Sequence, residues 1–190
     1  MPTVFLDRDG VINQNIENGY VTSWDRFRWL PGSVESISIL CEQGWNVFIV
    51  TNQACIGKGI VNMNELSEIH DRMQEELLKY GAKINQFYVC PHKPEDNCDC
   101  RKPKPGMLLR AAEEHRLNLS SCYFIGDSIT DMMAAHSVGC TTVLVRTGLG
   151  ERYENDTKRL GLADYYCNGV VEAVQTILRK ESVLPSETFH

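Results

Sequence analysis

Five short apolar runs, four of them leading into polar, chemically capable groups, constrain this chain more than any other feature. The runs are Val4–Leu6, Val47–Val50, Phe87–Val89, Tyr123–Ile125 and Thr142–Val145. Their β-branched and aromatic content, and their lack of polar alternation, predict strands buried on both faces of a sheet. Helical patterns lie between them. Val34, Ile37, Leu40 and Cys41 share a face behind the start signal Pro31-Gly32. Leu66, Ile69, Met73 and Leu77 make the stripe of a longer helix that Gly81 can end. Met107–His115, Asp131–Ser137 and a segment carrying Val170, Val174, Ile177 and Leu178 complete the set. Strands alternating with helices predict an α/β fold, a three-layer Rossmann-like sandwich with a mainly parallel sheet.

In such sheets, ligands bind beyond the carboxyl ends of the strands. The first run is followed by Asp7-Arg8-Asp9-Gly10 and the second by Thr51-Asn52-Gln53. The third leads into a Cys/His cluster and then Arg101-Lys102-Pro103; the fourth leads into Gly126-Asp127-Ser128 and Asp131. Four polar groups would therefore converge on one rim.

The chain's 190 residues suit one well-packed core, expected over 1–181, with a loosely ordered tail over 182–190. A net charge of −6 argues against nucleic acid or an anionic membrane as the main partner, though not against a small anion bound through a cation. With no membrane-length apolar run and no signal-like N-terminus, a cytoplasmic protein is expected. Three of the 8 cysteines crowd into one loop with His92, which fits a metal site in a reducing compartment better than a disulfide framework.

A carboxylate that attacks a phosphate monoester must overcome electrostatic repulsion, so a cation has to stand between them. Asp7 and Asp9 can reach one cleft if the chain turns at Gly10, and Asp127 is the natural further oxygen donor for Mg²⁺. Thr51 and Lys102 can supply donors and positive charge to the transferring group. Asp9 can protonate the leaving alkoxide and then activate water against an acyl-phosphate on Asp7. Taken singly, each element has a plainer explanation: a solvated turn, a strand-ending loop, a helix cap, a surface lysine. Four of them in order, each behind its own strand, form a catalytic pattern.

Cys90, His92, Cys98 and Cys100 give Cys-x-His-x₅-Cys-x-Cys. Three thiolates and one imidazole suit a closed tetrahedral Zn²⁺ site, structural because no position stays open. The loop between them is short and polar. A metal over 90–100 would stabilise it and fix Arg101-Lys102 over the cleft.

The ordered set Asp7-Arg8-Asp9-Gly10-Val11, Thr51, Lys102 and Gly126-Asp127-Ser128-Ile129-Thr130-Asp131 resembles the four motifs of the haloacid dehalogenase (HAD) superfamily, across nearly the whole chain. The resemblance implies Asp7 as nucleophile, Asp9 as acid and base, and Mg²⁺ on Asp7, the backbone carbonyl of Asp9 and Asp127. With the cysteine loop included, the chain is similar to the zinc-containing histidinol-phosphate and heptose-bisphosphate phosphatases. Gly19-Tyr20-Val21 and Val145-Arg146-Thr147-Gly148 lean toward the heptose side, which implies hydrolysis at C7 of a heptose 1,7-bisphosphate during activated-heptose synthesis for surface glycans. Two features depart from that pattern. The five-residue zinc spacer looks like that of the histidinol enzymes, making histidinol phosphate the alternative substrate, and Ser128 stands where many heptose enzymes carry lysine. The implied substrate contacts are Arg8, Glu17, Asn18, Gly19, Tyr20, Asn52, Gln53, Ala54, Arg101 and Ser128, with Arg101 holding a second phosphate. The inserts after the first and third strands are too short for a large cap, and a monomer acting on a small phosphorylated sugar is expected.

Overall fold

The computed structural model of the chain describes residues 1–183. Its strands are β1 (Thr3–Leu6), β2 (Asn46–Asn52), β3 (Gln86–Cys90), β4 (Cys122–Gly126), β5 (Thr141–Val145) and β6 (Tyr165–Cys167). Its helices are α1 (Ser33–Glu42), α2 (Ala54–Gly57), α3 (Met63–Leu78), α4 (Gly106–His115), α5 (Ile129–Ser137), α6 (Gly150–Leu160) and α7 (Val170–Val183). The strands form one sheet in the order β3-β2-β1-β4-β5-β6, and every pairing is parallel.

Alternation along the strands divides the core. Val4, Leu6, Val47, Ile49, Ile125 and Val143 face α1, α3 and α7 through Ile37, Leu40, Ile69, Met73, Val174 and Ile177. Phe5, Phe48, Val50, Phe124 and Leu144 point the other way, onto Met107, Leu108 and Ala111 of α4 and Met132 and Ala135 of α5. Phe5 lies opposite both Phe48 and Phe124 in the ladder, and its ring stacks on Phe48 at 5.5 Å. Truncating a ring of this kind costs about 3–5 kcal/mol. The three layers expected from the sequence are therefore present.

Three of these elements were not legible in the sequence: α2, a single turn of four residues, α6 and β6. In α6 only Gly150 and Thr157 are buried, so the helix carries no apolar stripe for periodicity to find. Strand β6 is three residues long and sits at the sheet's edge, too short to show a period. At the far end, α7 runs through Val183, so Ser182 belongs to a helix rather than to the expected tail; residues 184–190 lie outside the described residues.

The topology also places a crevice. The chain moves outward from β1 to β2 and β3, then returns across the sheet to β4, so the order reverses between β1 and β4. Ligands of open α/β sheets enter at that switch point. Asp7 follows β1 and Asp127 follows β4. The segments after β1 and β3 hold only single 3₁₀ turns, Trp24–Arg26 and Pro94–Asp96, in line with a fold lacking a large cap. No described helix is long and apolar enough to cross a membrane.

Candidate active site

The β1–β4 ladder carries Asp7 to the rim, where its backbone N–H donates to the Ile125 carbonyl at 3.0 Å. Lys102 meets it from the loop after β3. The ammonium pairs with Asp7 Oδ1 at 2.9 Å and with Asp131 Oδ1 at 2.6 Å, and it donates to the Val50 carbonyl at 2.8 Å. Burial opposes the charge on Lys102, but Asp131 and Asp7 outweigh it and hold the amine protonated well above its ordinary range. Asn52, at the end of β2, locks the lysine's backbone: its Oδ1 accepts the Lys102 N–H and its Nδ2 donates to the Lys102 carbonyl, both at 3.1 Å.

Asp127 and Asp131 arise from one local device. Ser128 caps α5, and Asp131 answers in a reciprocal capping box. The Asp131 Oδ2 accepts the N–H groups of Asp127 and Ser128 and the Ser128 hydroxyl. Its other oxygen remains for Lys102. Asp131 is thus both a helix cap and the counter-ion of the site's lysine. Asp127 Oδ2 accepts the Leu149 N–H at 2.8 Å and sits between two glycines. A Cβ on Gly10 would lie 2.1 Å from that oxygen, and one on Gly148 would lie 2.0 Å away. Both glycines also have positive φ, 86° and 61°.

Asp7, Asp127 and Asp131 offer oxygens that all lie within 4.8 Å of one another. Three carboxylates face one ammonium. Burial, resisted by Lys102 and reinforced by Asp131, pushes the Asp7 carboxyl up to about 7. Burial and then Asp7 push Asp127 well above its usual value. Crowded, under-neutralised oxygen donors of this kind fit a hard divalent cation such as Mg²⁺.

Asp9 is held differently. Arg8 Nη2 donates to both of its oxygens at 3.1 and 2.9 Å, Asn13 Nδ2 to Oδ1 at 2.9 Å, and Gln53 Nε2 to Oδ2 at 2.8 Å. These donors, Arg8 foremost, overcome the penalty of burial and keep the carboxyl below its ordinary value. Arg8, expected among the substrate contacts, is instead completely buried, its side chain turned to Asp9 and to His70 of α3. Gln53 is buried as well, with its amide shared between Asp9 and Thr51 Oγ1.

A cleft of about 300 Å³ opens over this cluster, lined by Asp7, Asp9, Asn52, Lys102, Asp127 and Ser128 together with Gly19. Asn15, Ile16, Thr130, Asp131, Leu149 and Tyr153 complete its walls. Leu149 could have been sought beside Gly148; Asn15, Ile16 and Tyr153 carried no sequence signal. Glu17 and Asn18 are exposed beside the cleft without lining it, Ala54 is buried at the start of α2, and Thr51 is buried behind Gln53. The Tyr20 hydroxyl accepts from Lys58 at 3.0 Å. Arg101 donates to the His92 carbonyl at 3.2 Å, which ties it to the cysteine loop. A larger cavity, about 530 Å³, lies among Met1, Ser121, Thr141 and Lys180 at the amino ends of the strands. It holds none of this constellation, so volume alone would choose the wrong end of the sheet.

The cysteine loop closes as its spacing suggests. Cys90 Sγ and Cys98 Sγ are 3.6 Å apart, Cys98 and Cys100 3.5 Å, and His92 Nδ1 lies 3.2 Å from Cys100 and 3.7 Å from Cys90. A tetrahedron with Zn–S near 2.3 Å and Zn–N near 2.0–2.1 Å has edges of about 3.5–3.8 Å. The four atoms fit a Zn²⁺ ion.

The profile of the HAD-hydrolase-like family matches residues 99–173. The chain is 43% identical over 149 residues to D-glycero-β-D-manno-heptose-1,7-bisphosphate 7-phosphatase of Pseudomonas aeruginosa, covering 78% of this chain and 83% of that one. It is 34% identical over 185 residues to the protein of the same name from Yersinia pestis, covering 93% and 95%. Among solved structures, the D,D-heptose 1,7-bisphosphate phosphatase of Bordetella bronchiseptica, complexed with magnesium and phosphate, aligns with a TM-score of 0.89 at 35% identity, over 95% of this chain and 99% of that one. Fold and relatives together define a phosphatase of the HAD class. Within that class, the chain belongs to the family of the D-glycero-β-D-manno-heptose-1,7-bisphosphate 7-phosphatases.

Proposed function

We propose that this phosphatase removes the C7 phosphate of D-glycero-β-D-manno-heptose 1,7-bisphosphate, with Asp7 as nucleophile. The observation that carries the chemistry is the grip of Lys102 on one oxygen of Asp7, at the switch point and facing Asp127. That grip leaves the other oxygen of Asp7 for attack. The Asp7 oxygen bonds to phosphorus, the bond from phosphorus to the C7 oxygen breaks, and Asp9 gives the departing alkoxide its proton. Asp9, now anionic, takes a proton from water as the water oxygen attacks phosphorus and releases Asp7. The hydrogen bonds of Arg8, Asn13 and Gln53 favour the anionic form of Asp9 that this second step requires.

Asp7, Asp127 and the backbone carbonyl of Asp9 are the residues that would hold Mg²⁺. When bound, the ion neutralises the carboxylates and screens charge on the phosphoryl group. Cys90, His92, Cys98 and Cys100 would hold Zn²⁺ as a structural ion. Arg101, anchored to that loop, is suited to receive the remote C1 phosphate through its planar fork.

A panel of heptose 1,7-bisphosphate, histidinol phosphate and fructose 1,6-bisphosphate tests the reading. The heptose is expected to give the highest kcat/KM. Removing the C1 phosphate and changing Arg101→Ala are expected to cost similar factors, with little further loss when combined. A clear preference for histidinol phosphate, in keeping with the short zinc spacer, would overturn the substrate while leaving the phosphoryl chemistry standing.

A further inference from the structure

Arg8 is among the largest side chains that the fold buries completely. Burying a guanidinium costs several kcal/mol, so its contacts carry weight. One terminal nitrogen holds both oxygens of Asp9, while Nη1 lies 3.2 Å from His70 Nε2. The Nε has no hydrogen-bond partner among the described residues. An arginine cannot accept a hydrogen bond, so His70 Nε2 must, which puts the imidazole proton on Nδ1 and leaves the ring neutral. The ring is held in plane: it stacks on Phe87 at 4.2 Å and 10°, and α3 and β3 present only 7% of His70 to solvent. Burial first, and Arg8 second, push this histidine down to about 3, in keeping with the neutral acceptor. A rigid chain therefore runs from Phe87 through His70 and Arg8 to Asp9, beneath the cleft and out of reach of substrate.

We propose that His70 is a positioning residue for the phosphatase reaction: by fixing Arg8 it sets where the Asp9 carboxylate stands. The inference rests on the acid–base role assigned to Asp9. Of the donors to Asp9, Arg8 is the one that touches both oxygens, so it fixes the plane of the carboxylate as well as its place. Asn13 and Gln53 each hold one oxygen and cannot fix that plane alone. When water attacks the phosphorylated Asp7, its proton passes to Asp9, the phosphorus–Asp7 bond breaks, and inorganic phosphate leaves. That transfer is the step most sensitive to the carboxylate's orientation.

His70→Phe keeps a ring against Phe87 and deletes the acceptor; His70→Gln returns an acceptor to Arg8. With heptose 1,7-bisphosphate, His70→Phe is expected to lower kcat about 10-fold, a fraction of what losing an acid–base group costs, with KM little changed. With 4-nitrophenyl phosphate, whose leaving group needs no proton, rapid quenching should show more phosphorylated protein at steady state than in wild type. His70→Gln should recover most of kcat, and His70→Phe added to Arg8→Met should cost nothing further. Wild-type kcat in His70→Phe, an equal loss in His70→Gln, or an unchanged phosphorylated fraction would each overturn the proposal. Asp9→Asn separates the two readings. If it turns over normally, the acid–base assignment falls; if it is inactive while His70→Phe is not, only the role of His70 falls.

Discussion

The cleft and the cysteine loop each gather four or so ligating or charged side chains, but they hold them by opposite means. In the cleft, the side chains of Lys102 and Asp131 are 3% and 1% exposed, and each is fixed by strand ends, a helix cap and a clamped backbone. In the loop, His92 is exposed, Cys98 and Cys100 are half-buried, and the connecting residues make one 3₁₀ turn in which no residue is buried. The cleft owes its shape to packing and can keep it when a cation leaves. The loop brings its four candidate ligands together with few buried residues of its own, so an ion held there would be part of the fold.

The sharpest way to test the cleft's half of this contrast is to remove its chemistry without disturbing its packing. Asp7→Asn changes volume hardly at all and deletes the proposed nucleophile. Turnover should fall about 10⁴-fold or more, with circular dichroism and melting temperature close to wild type. Activity within tenfold of wild type would remove Asp7 from the centre of the site.

Next in size is a change that disturbs packing and leaves every ligand in place. Gly148→Ala drives a methyl group into Asp127 Oδ2 and against Gly10, whose Cα would lie 2.6 Å away. Displacing a ligand by even 1 Å can cost about 10²-fold in rate, and that is the loss expected in kcat/KM, with weaker Mg²⁺ dependence. Gly44→Ala is the control: φ is similarly positive at 76°, but a Cβ there meets nothing within 4 Å. Equal losses in the two variants would show that backbone strain alone, not the approach to Asp127, explains the glycine.

The loop should respond the other way. Cys98→Ser removes one of four ligands from a segment with little else to order it. Zinc content should drop from one ion per chain, and the melting temperature should fall by about 5–10 °C, at roughly 2–4 °C per kcal/mol. Activity should fall with it, because Arg101 and Lys102 follow the loop directly. If elemental analysis found no zinc in the wild type, the loop would have to be held by its cysteines' hydrogen bonds alone.

How much of this could be read in the sequence follows the same division. The strand ends were legible because four capable groups stand in order behind apolar runs, and the loop because ligand spacing is a covalent fact. What stayed hidden depends on residues brought together only by folding. His70 reads as one polar residue on a helix, Asn13 as part of a turn, and the Leu149 N–H has no side-chain signature at all. Arg8 and Gln53 were expected to face substrate, but their side chains are buried against Asp9, because a motif records which residues are present, not which way they point. The charge-rich α6 escaped because its contact with the sheet is made by Gly150 and Thr157 rather than by an apolar stripe.

The smallest effect expected is the most direct comparison of the two metals. Mild chelation should strip Mg²⁺ from the cleft, and activity should return on adding Mg²⁺ alone, because packing preserves the empty geometry. The cleft's stability should then depend on pH with a definite sign. Asp7 is raised from 3.8 to about 7 in the fold, so between those values the native state holds a proton that the unfolded chain has lost. Metal-free protein must therefore lose stability as pH rises through that window, since repulsion among Asp7, Asp127 and Asp131 grows as protons leave. Mg²⁺ binds the deprotonated carboxylates and competes with those protons. Its stabilisation, about 5 °C at saturating concentration, should be full at pH 8 and much reduced at pH 5. Zinc in the loop should stay bound through the same treatment. A Mg²⁺ shift equal at both pH values would mean that the ion does not compete for the buried carboxylates, and the distinction between a site made by packing and one made by its metal would lose its cleft half.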